Sequence, residues 1–261
     1  MQIVTLLTDY GTRDHYVAAV KGVILDLAPR VTIVDITHEV EAHDIGHGAF
    51  VLWQAFSWFP AGTIHVAVVD PGVGSQRRIV LAQYAGRFVI APDNGLLTLV
   101  HREYPIEALH VVTNRRLFLP TTSATFHGRD MIAPAAAHLA NGVRLWEFGP
   151  ETDHLTMLPL AHRAQLQHGA LHGQVLHVDR FGNLVTNIHQ EQWREVGLRD
   201  RTPQVRVNGE AIGPVRSAYH EVERGLPVAY VGSAQLLEIA LNQGRAVDRF
   251  GPVEHIVVQV G

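Results

Sequence analysis

Apolar positions in the first 150 residues alternate between two rhythms. Residues 2–9, QIVTLLTD, form a nearly unbroken apolar run ending in Asp9, the pattern of a strand covered on both faces. Residues 14–29 follow with Val17, Val20, Ile24 and Leu27 at helical spacing, Asp14 placed to cap the start and Pro29 just past the end. VTIVDI (31–36) predicts a second strand and residues 43–59 a second helix, closed by Pro60-Ala61-Gly62. TIHVAVVD (63–70) predicts a third strand, ending in Asp70. The order βαβαβ predicts a mainly parallel sheet with helices on both faces. Residues 78–95 then read as two strands joined at Tyr84–Arg87, residues 96–104 as a short helix and 108–113 as another strand. A helix over 128–142 has Pro134 near its first turn and Asn141-Gly142 at its end.

The rhythm changes near residue 155. Residues 151–170 have no clean period and read as a linker or strap. Short alternating segments follow at 172–179, 184–188, 204–212, 227–232, 236–241 and 254–260, with turn signals at Phe181-Gly182-Asn183 and Asn208-Gly209. The expected organisation is an α/β domain over 1–155, a linker over 156–170 and a small all-β, barrel-like domain over 171–261.

Composition narrows the function classes. Charged residues at 18% and hydrophobic ones at 47% are an ordinary globular balance. No apolar run reaches the roughly 18 residues of a membrane-spanning helix, and the first residues lack the basic start and cleavage site of a signal peptide. The chain has no cysteine, which excludes disulfides, iron–sulfur clusters and thiolate zinc sites and points to a cytoplasmic protein. A formal net charge of −4 argues against nucleic acid as a partner. The 17 histidines are mostly scattered singly, as surface or hydrogen-bonded core residues. His43 and His47 would share one helix face, but without the HExxH arrangement of a zinc protease they read as structural, and no metal site is expected.

In open α/β sheets ligands sit beyond the carboxyl ends of the parallel strands. Three polar clusters fall there: Asp9 with YGTRD after it, Asp70 with PGVGSQRR after it, and Phe126-His127-Gly128-Arg129-Asp130 before a helix. Asp70 with Arg77 or Arg78 reads equally as an ion pair tying down a loop or as part of an active site. APDNG (91–95) reads most simply as a turn. His127 stands where a neutral imidazole would accept a proton or orient water. No GxGxxG, GxxxxGK[ST] or GxSxG is present, so dinucleotide, P-loop and serine-hydrolase readings lack their parts.

TDYGTRDHYVAAVKG, VVDPGVGSQRR, APDNGLLT, TFHGRDMIAPAAAHLA and DRFGNLVTNI occur in the order found in the S-adenosyl-L-methionine hydroxide adenosyltransferases, which the chain resembles over nearly its whole length. That family is related to fluorinating and chlorinating enzymes acting on the same substrate. The resemblance implies an N-terminal α/β domain, a C-terminal β-barrel and a homotrimer that holds S-adenosyl-L-methionine between subunits. It implies hydrolysis to adenosine and L-methionine, with no cofactor, by a triad matching Asp70, Arg77 and His127, Arg78 being the adjacent alternative. It further implies that Asp9 takes both ribose hydroxyls, Asp14 and Asp179 lie near the methionine ammonium, Phe181 stacks on adenine and Asn183 hydrogen-bonds it. Tyr230 and Ser233 match positions around the methionine moiety. The chain departs from the halogenases at four places. Asp70 replaces a tyrosine, Gly128 a serine beside the halide, His43 an aromatic wall over the ribose, and Ala234 an arginine. It also lacks their long insertion after the glycine loop. A carboxylate in the nucleophile pocket repels halide, which favours hydrolysis over halide transfer. An intact triad likewise favours an enzyme over a non-catalytic adenosine or S-adenosyl-methionine sensor.

Overall fold

The computed structural model describes residues 2–194, 197, 203–251 and 257–260. They form two compact units, Met1–Pro159 and Leu160–Gly261.

The first unit holds a six-stranded sheet built from β1 (Ile3–Thr8), β2 (Thr32–Thr37), β3 (Ile64–Val68), β4 (Ile79–Tyr84), β5 (Arg87–Pro92) and β6 (Ile106–Val111), in the order β2-β1-β3-β5-β4-β6. β1 pairs in parallel with β2 and β3, and β3 with β5. β4 is antiparallel to β5, because the two-residue turn at Ala85-Gly86 returns the chain directly, and antiparallel to β6, which follows α3. Both turn residues have positive φ (45° and 69°), which matches the twist of a tight hairpin.

Helices α1 (Tyr16–Leu27), α2 (Ile45–Phe56), α3 (Thr98–Glu103) and α4 (Ala133–Ala140) cover the sheet, α1 packing with α4 and α2 with α3. Val20 and Ile24 of α1 and Ala133, Ala136 and Leu139 of α4 bury against Val4, Leu6, Val66 and Val68. The other face meets α2, where the Phe56 ring lies 5.0 Å from His65. Full cover on both faces explains the continuous apolar runs of β1 and β3.

Two local expectations need correction. Asp14 does not cap α1: the cap residue is His15, no side chain closes that end, and Asp14 is exposed. His43 lies outside α2 at φ +69°, so it shares no helix face with His47. Asp44 caps the helix instead, accepting from the His47 N–H at 2.8 Å. The expected single helix over 128–142 is also divided, into a π-helical turn at Gly128–Ile132 and α4.

The second unit is antiparallel. Its strands are β7 (Gln165–Gln167), β8 (Ala170–Val178), β9 (Leu184–His189), β10 (Gln204–Val207), β11 (Glu210–Pro214), β12 (Pro227–Val231), β13 (Leu236–Leu241) and β14 (Val257–Val260). They follow the path β11-β10-β14-β8-β9-β13-β12, with β7 added to β8. α5 (Ala246–Phe250) is short. Leu171, Leu184, Ile188, Val207, Leu237 and Ile239 form the core. The strand expected over 254–260 is seen as β14, and residues 252–256 lie outside the described residues.

Candidate active site

β1 leads to β2 on one side and, through β2 and α2, to β3 on the other, so the sheet order reverses at β1. The crevice at such a reversal, beyond the carboxyl strand ends, is where α/β sheets bind ligands. Register places Thr8 beside Val68, and the next residues outward are therefore Asp9 and the Val69-Asp70 corner. A cavity of about 280 Å³ opens there, lined among others by Asp9, Tyr10, Tyr16, His43, Asp70 and Gly128.

The Pro71–Ser75 loop turns the chain so that Arg77 comes back over Asp70. Gly74 is required in it twice over: its φ is +81°, and a β-carbon would stand 2.5 Å from the Ala124 carbonyl oxygen. Arg77 Nε donates to Asp70 Oδ1 and Oδ2 at 2.8 and 2.7 Å, and Nη2 also donates to Oδ2. The two side chains are only 9% and 6% exposed, so each charge depends on the other. Arg77 Nη2 also lies 3.0 Å from His127 Nδ1. Guanidinium nitrogens only donate, so Nδ1 is the acceptor and the neutral ring keeps its proton on Nε2. Burial, and then the Arg77 charge, hold the His127 pKa below the ordinary histidine value. Asp70, Arg77 and His127 thus form one chain with the arginine in the middle. Asp70 lines the cavity; Arg77 and His127 do not.

Arg78 is occupied elsewhere. Its Nε donates to Asp93 Oδ2 at 2.9 Å, and its Nη2 to Asp93 and to the His154 carbonyl, the latter at 2.7 Å. Asp93 also accepts from the Thr156 N–H at 2.8 Å. The APDNG segment is therefore more than a turn: it anchors the strap at residues 152–156.

Asp9 is nearly covered and accepts from the His43 N–H at 3.0 Å. Tyr10, Tyr16 and Phe126 pack edge to face or tilted, with ring centroids 5.3–6.0 Å apart. The π-helical turn carrying Gly128 is secured by Asp130, which is fully buried, pairs with Arg129 and accepts from the Ser123 N–H at 2.7 Å. Such turns concentrate at functional sites.

The second unit presents its own group of expected residues. Asp179 Oδ1 accepts from the Phe181 and Asn183 N–H groups at 2.8 and 2.9 Å, and Oδ2 from Asn183 Nδ2 at 2.8 Å. This turn buries Asn183 and leaves Phe181 74% exposed, an aromatic face without cover in its own unit. Tyr230 accepts from the Tyr219 hydroxyl at 2.7 Å and donates to Glu238. Burial, and secondarily Asp179, raise the Glu238 pKa, against the pull of the Tyr230 hydrogen bond. Ser233 lies exposed on the turn joining β12 to β13.

Tyr10, Tyr16 and Glu238 were not expected. The apolar run that marks Asp9 as a strand end is silent about its neighbour, and Glu238 sits in a segment whose pattern says only that it is a strand. Among the described residues no group of three or more His, Asp or Glu is arranged to hold a metal ion.

Residues 4–149 match the SAM hydroxide adenosyltransferase N-terminal domain and residues 173–255 the corresponding C-terminal domain. The (R)-S-adenosyl-L-methionine hydrolase of Thermus thermophilus is 41% identical, with all of both chains covered. That of Salinispora tropica is 36% identical over 99% of this chain and 98% of its own. The crystal structure of an uncharacterised conserved protein from Thermotoga maritima superposes with a TM-score of 0.90 at 35% identity, covering 98% of this chain and 99% of the other. With both domains matched in order and full-length relatives at this identity, the chain belongs to the SAM hydroxide adenosyltransferase family.

Proposed function

We propose that this protein hydrolyses S-adenosyl-L-methionine, in the (R) sulfonium configuration named for its relatives, to adenosine and L-methionine. The observation that carries the reading is the Asp70–Arg77–His127 chain, which delivers one carboxylate to a strand-end cavity that also holds Asp9.

The carbon under attack, C5′, is already activated by the sulfonium. Methionine leaves as a neutral thioether and needs no proton. The remaining task is to hold a water in line with the C5′–S bond and take its proton as the bond to carbon forms. Asp70 faces the cavity and is assigned that task. Arg77 fixes the carboxylate plane with three hydrogen bonds. His127 acts through Arg77 as a positioning residue, because its acceptor nitrogen is already taken. Positioning contributes several kcal/mol and base assistance roughly 10²–10⁴-fold. Asp9 is assigned to the ribose hydroxyls, with Asp14 and Asp179 near the methionine ammonium. Phe181 and Asn183 are assigned to adenine, and Tyr230 and Ser233 to the methionine end.

These groups are divided between the two units, and the exposed Phe181 ring supports a homotrimer in which neighbouring subunits complete each site. A barrel in the second unit is supported by the bridge from Arg216 to Tyr230, which brings the chain after β11 to β12 at the far end of the strand path.

The decisive experiment incubates purified protein with each sulfonium epimer, with and without chelator and with added chloride, and separates products by chromatography. Equimolar adenosine and methionine, unaffected by chelator and faster from the (R) epimer, is the expected result. Tight binding without turnover would identify a sensor, and a 5′-chloro product would identify halide transfer.

A further inference from the structure

Asp70 shares its cavity with Tyr10, Val68 and Gly128, and the closest approach among these is between Tyr10 and Gly128. A β-carbon built on Gly128 would stand 2.3 Å from the Tyr10 hydroxyl oxygen, 3.4 Å from Tyr10 Cζ and 3.6 Å from Val68 Cγ1. Gly128 lies in a helical turn and not in the left-handed region, so its backbone would accept any residue. Its bareness is a matter of space, and the space is taken by one oxygen atom.

Tyr10 is packed on two sides. Its ring packs edge to face on Phe126 at 5.8 Å and against Tyr16 at 6.0 Å, and its N–H donates to Thr8 Oγ1 at 3.2 Å. Among the described residues nothing hydrogen-bonds its hydroxyl. Burial, with Asp9 and Asp70 nearby, raises its pKa and keeps the phenol protonated. Tyr10, Val68, Asp70 and Gly128 all line the same cavity.

We propose that Tyr10 is a specificity-determining residue: its hydroxyl, seated over the bare α-carbon of Gly128, confines the nucleophile's side of the cavity to a molecule the size of water. The inference rests on the hydrolytic reading and adds to it the residue pair that sets the size of the nucleophile.

Methanol is the probe, one methyl group larger than water. Its oxygen attacks C5′, the C5′–S pair leaves on the methionine sulfur, and the hydroxyl proton passes to Asp70 and then to solvent. The products are 5′-O-methyladenosine and L-methionine. Wild-type protein and Tyr10→Phe are compared with S-adenosyl-L-methionine in aqueous methanol, reading the ratio of 5′-O-methyladenosine to adenosine. That ratio is independent of how much protein is folded. The expected result is adenosine almost alone from wild type and a ratio raised about tenfold or more by Tyr10→Phe, within the range one methyl group is worth in a pocket. Tyr10→Leu serves if Tyr10→Phe does not fold. An unchanged ratio with adenosine still formed overturns the inference alone. No adenosine from wild type overturns the hydrolytic reading, and this inference with it.

A second measurement tests the contact without any turnover. Gly128→Ala should lower the melting temperature markedly in the wild-type background. In the Tyr10→Phe background it should cost little, since the nearest remaining Tyr10 atom in the present geometry is at 3.4 Å. Equal losses in the two backgrounds would overturn the proposed contact.

Discussion

Asp70 and Asp9 both end parallel strands, yet their substitutions should fail differently. Asp70→Asn keeps the shape but turns one of the two oxygens that accept from Arg77 into a donor and loses the charge assigned to take the proton. Adenosine formation per folded molecule should fall by about 10²–10⁴-fold with little change in KM. Asp9→Asn should instead raise KM, because the paired acceptors assigned to the two ribose hydroxyls are lost. His127→Ala should cost less than Asp70→Asn, since Arg77 keeps its three bonds to Asp70 without it. If His127→Ala proves the more damaging of the two, the proton goes to the imidazole and the order of roles is reversed. Acid sensitivity also has a residue-scale origin. His65 is buried, with Nδ1 2.8 Å from Thr5 Oγ1, and burial followed by the Arg87 charge lowers its pKa to about 3. Its folded pKa lies below the unfolded value of 6.5, so an unfolded chain takes up a proton that the native one refuses. Its contribution to stability is complete above pH 6.5 and lost progressively as pH falls toward about 3. His65→Leu should flatten that part of a plot of melting temperature against pH; an unaltered slope would assign the acid loss to other groups.

Among the elements, the π-helical turn at Gly128–Ile132 places the most chemistry in the fewest residues. Asp130 ties it to the Ser123 segment, and Thr125 on that segment lines the cavity. Asp130→Ala leaves the Ser123 N–H without its partner and should cost roughly 1–3 kcal/mol. Calorimetry should show the loss, and turnover should fall with it as the segment loosens. Asp130→Asn, which keeps an acceptor oxygen, should recover part of both. The turn also marks where the sequence stops being legible. Val20 and Ile24 at helical spacing, the apolar runs of β1 and β3 and the two strand-end carboxylates are local patterns, and local patterns can be read directly. The contact between Tyr10 and Gly128 joins positions far apart in the chain and has no local signature. Nor does the choice between Arg77 and Arg78, which depends on where Asp93 lies once β5 is inserted beside β3. The cap of α1 was misread because Asp14 has the right chemistry one residue too early. The family resemblance adds what pattern cannot, an expectation of which of several polar clusters belong to one site.

At the scale of the whole molecule, light scattering at micromolar concentration should report a trimer. A fully active monomer would mean that one chain alone assembles every substrate contact. Phe181→Ala should then separate binding from assembly, raising KM while leaving the scattering mass unchanged. The neighbouring arginines carry one more implication, for how such a chain can change length over generations. Arg77 and Arg78 point to different partners because successive residues entering β4 face opposite ways. A residue gained or lost among Pro71–Gln76 lengthens or shortens a loop and leaves both arginines in phase with the strand. A residue gained between Arg78 and Ile79 reverses their parity. Asp70 would lose its cation and the strap its Arg78 contacts at Thr152 and His154 in a single step. An insertion immediately after this pair should therefore be purged for its effect on both partners at once, whereas one before it meets only the local demands of Gly74 and of the span from Asp70 to Arg77.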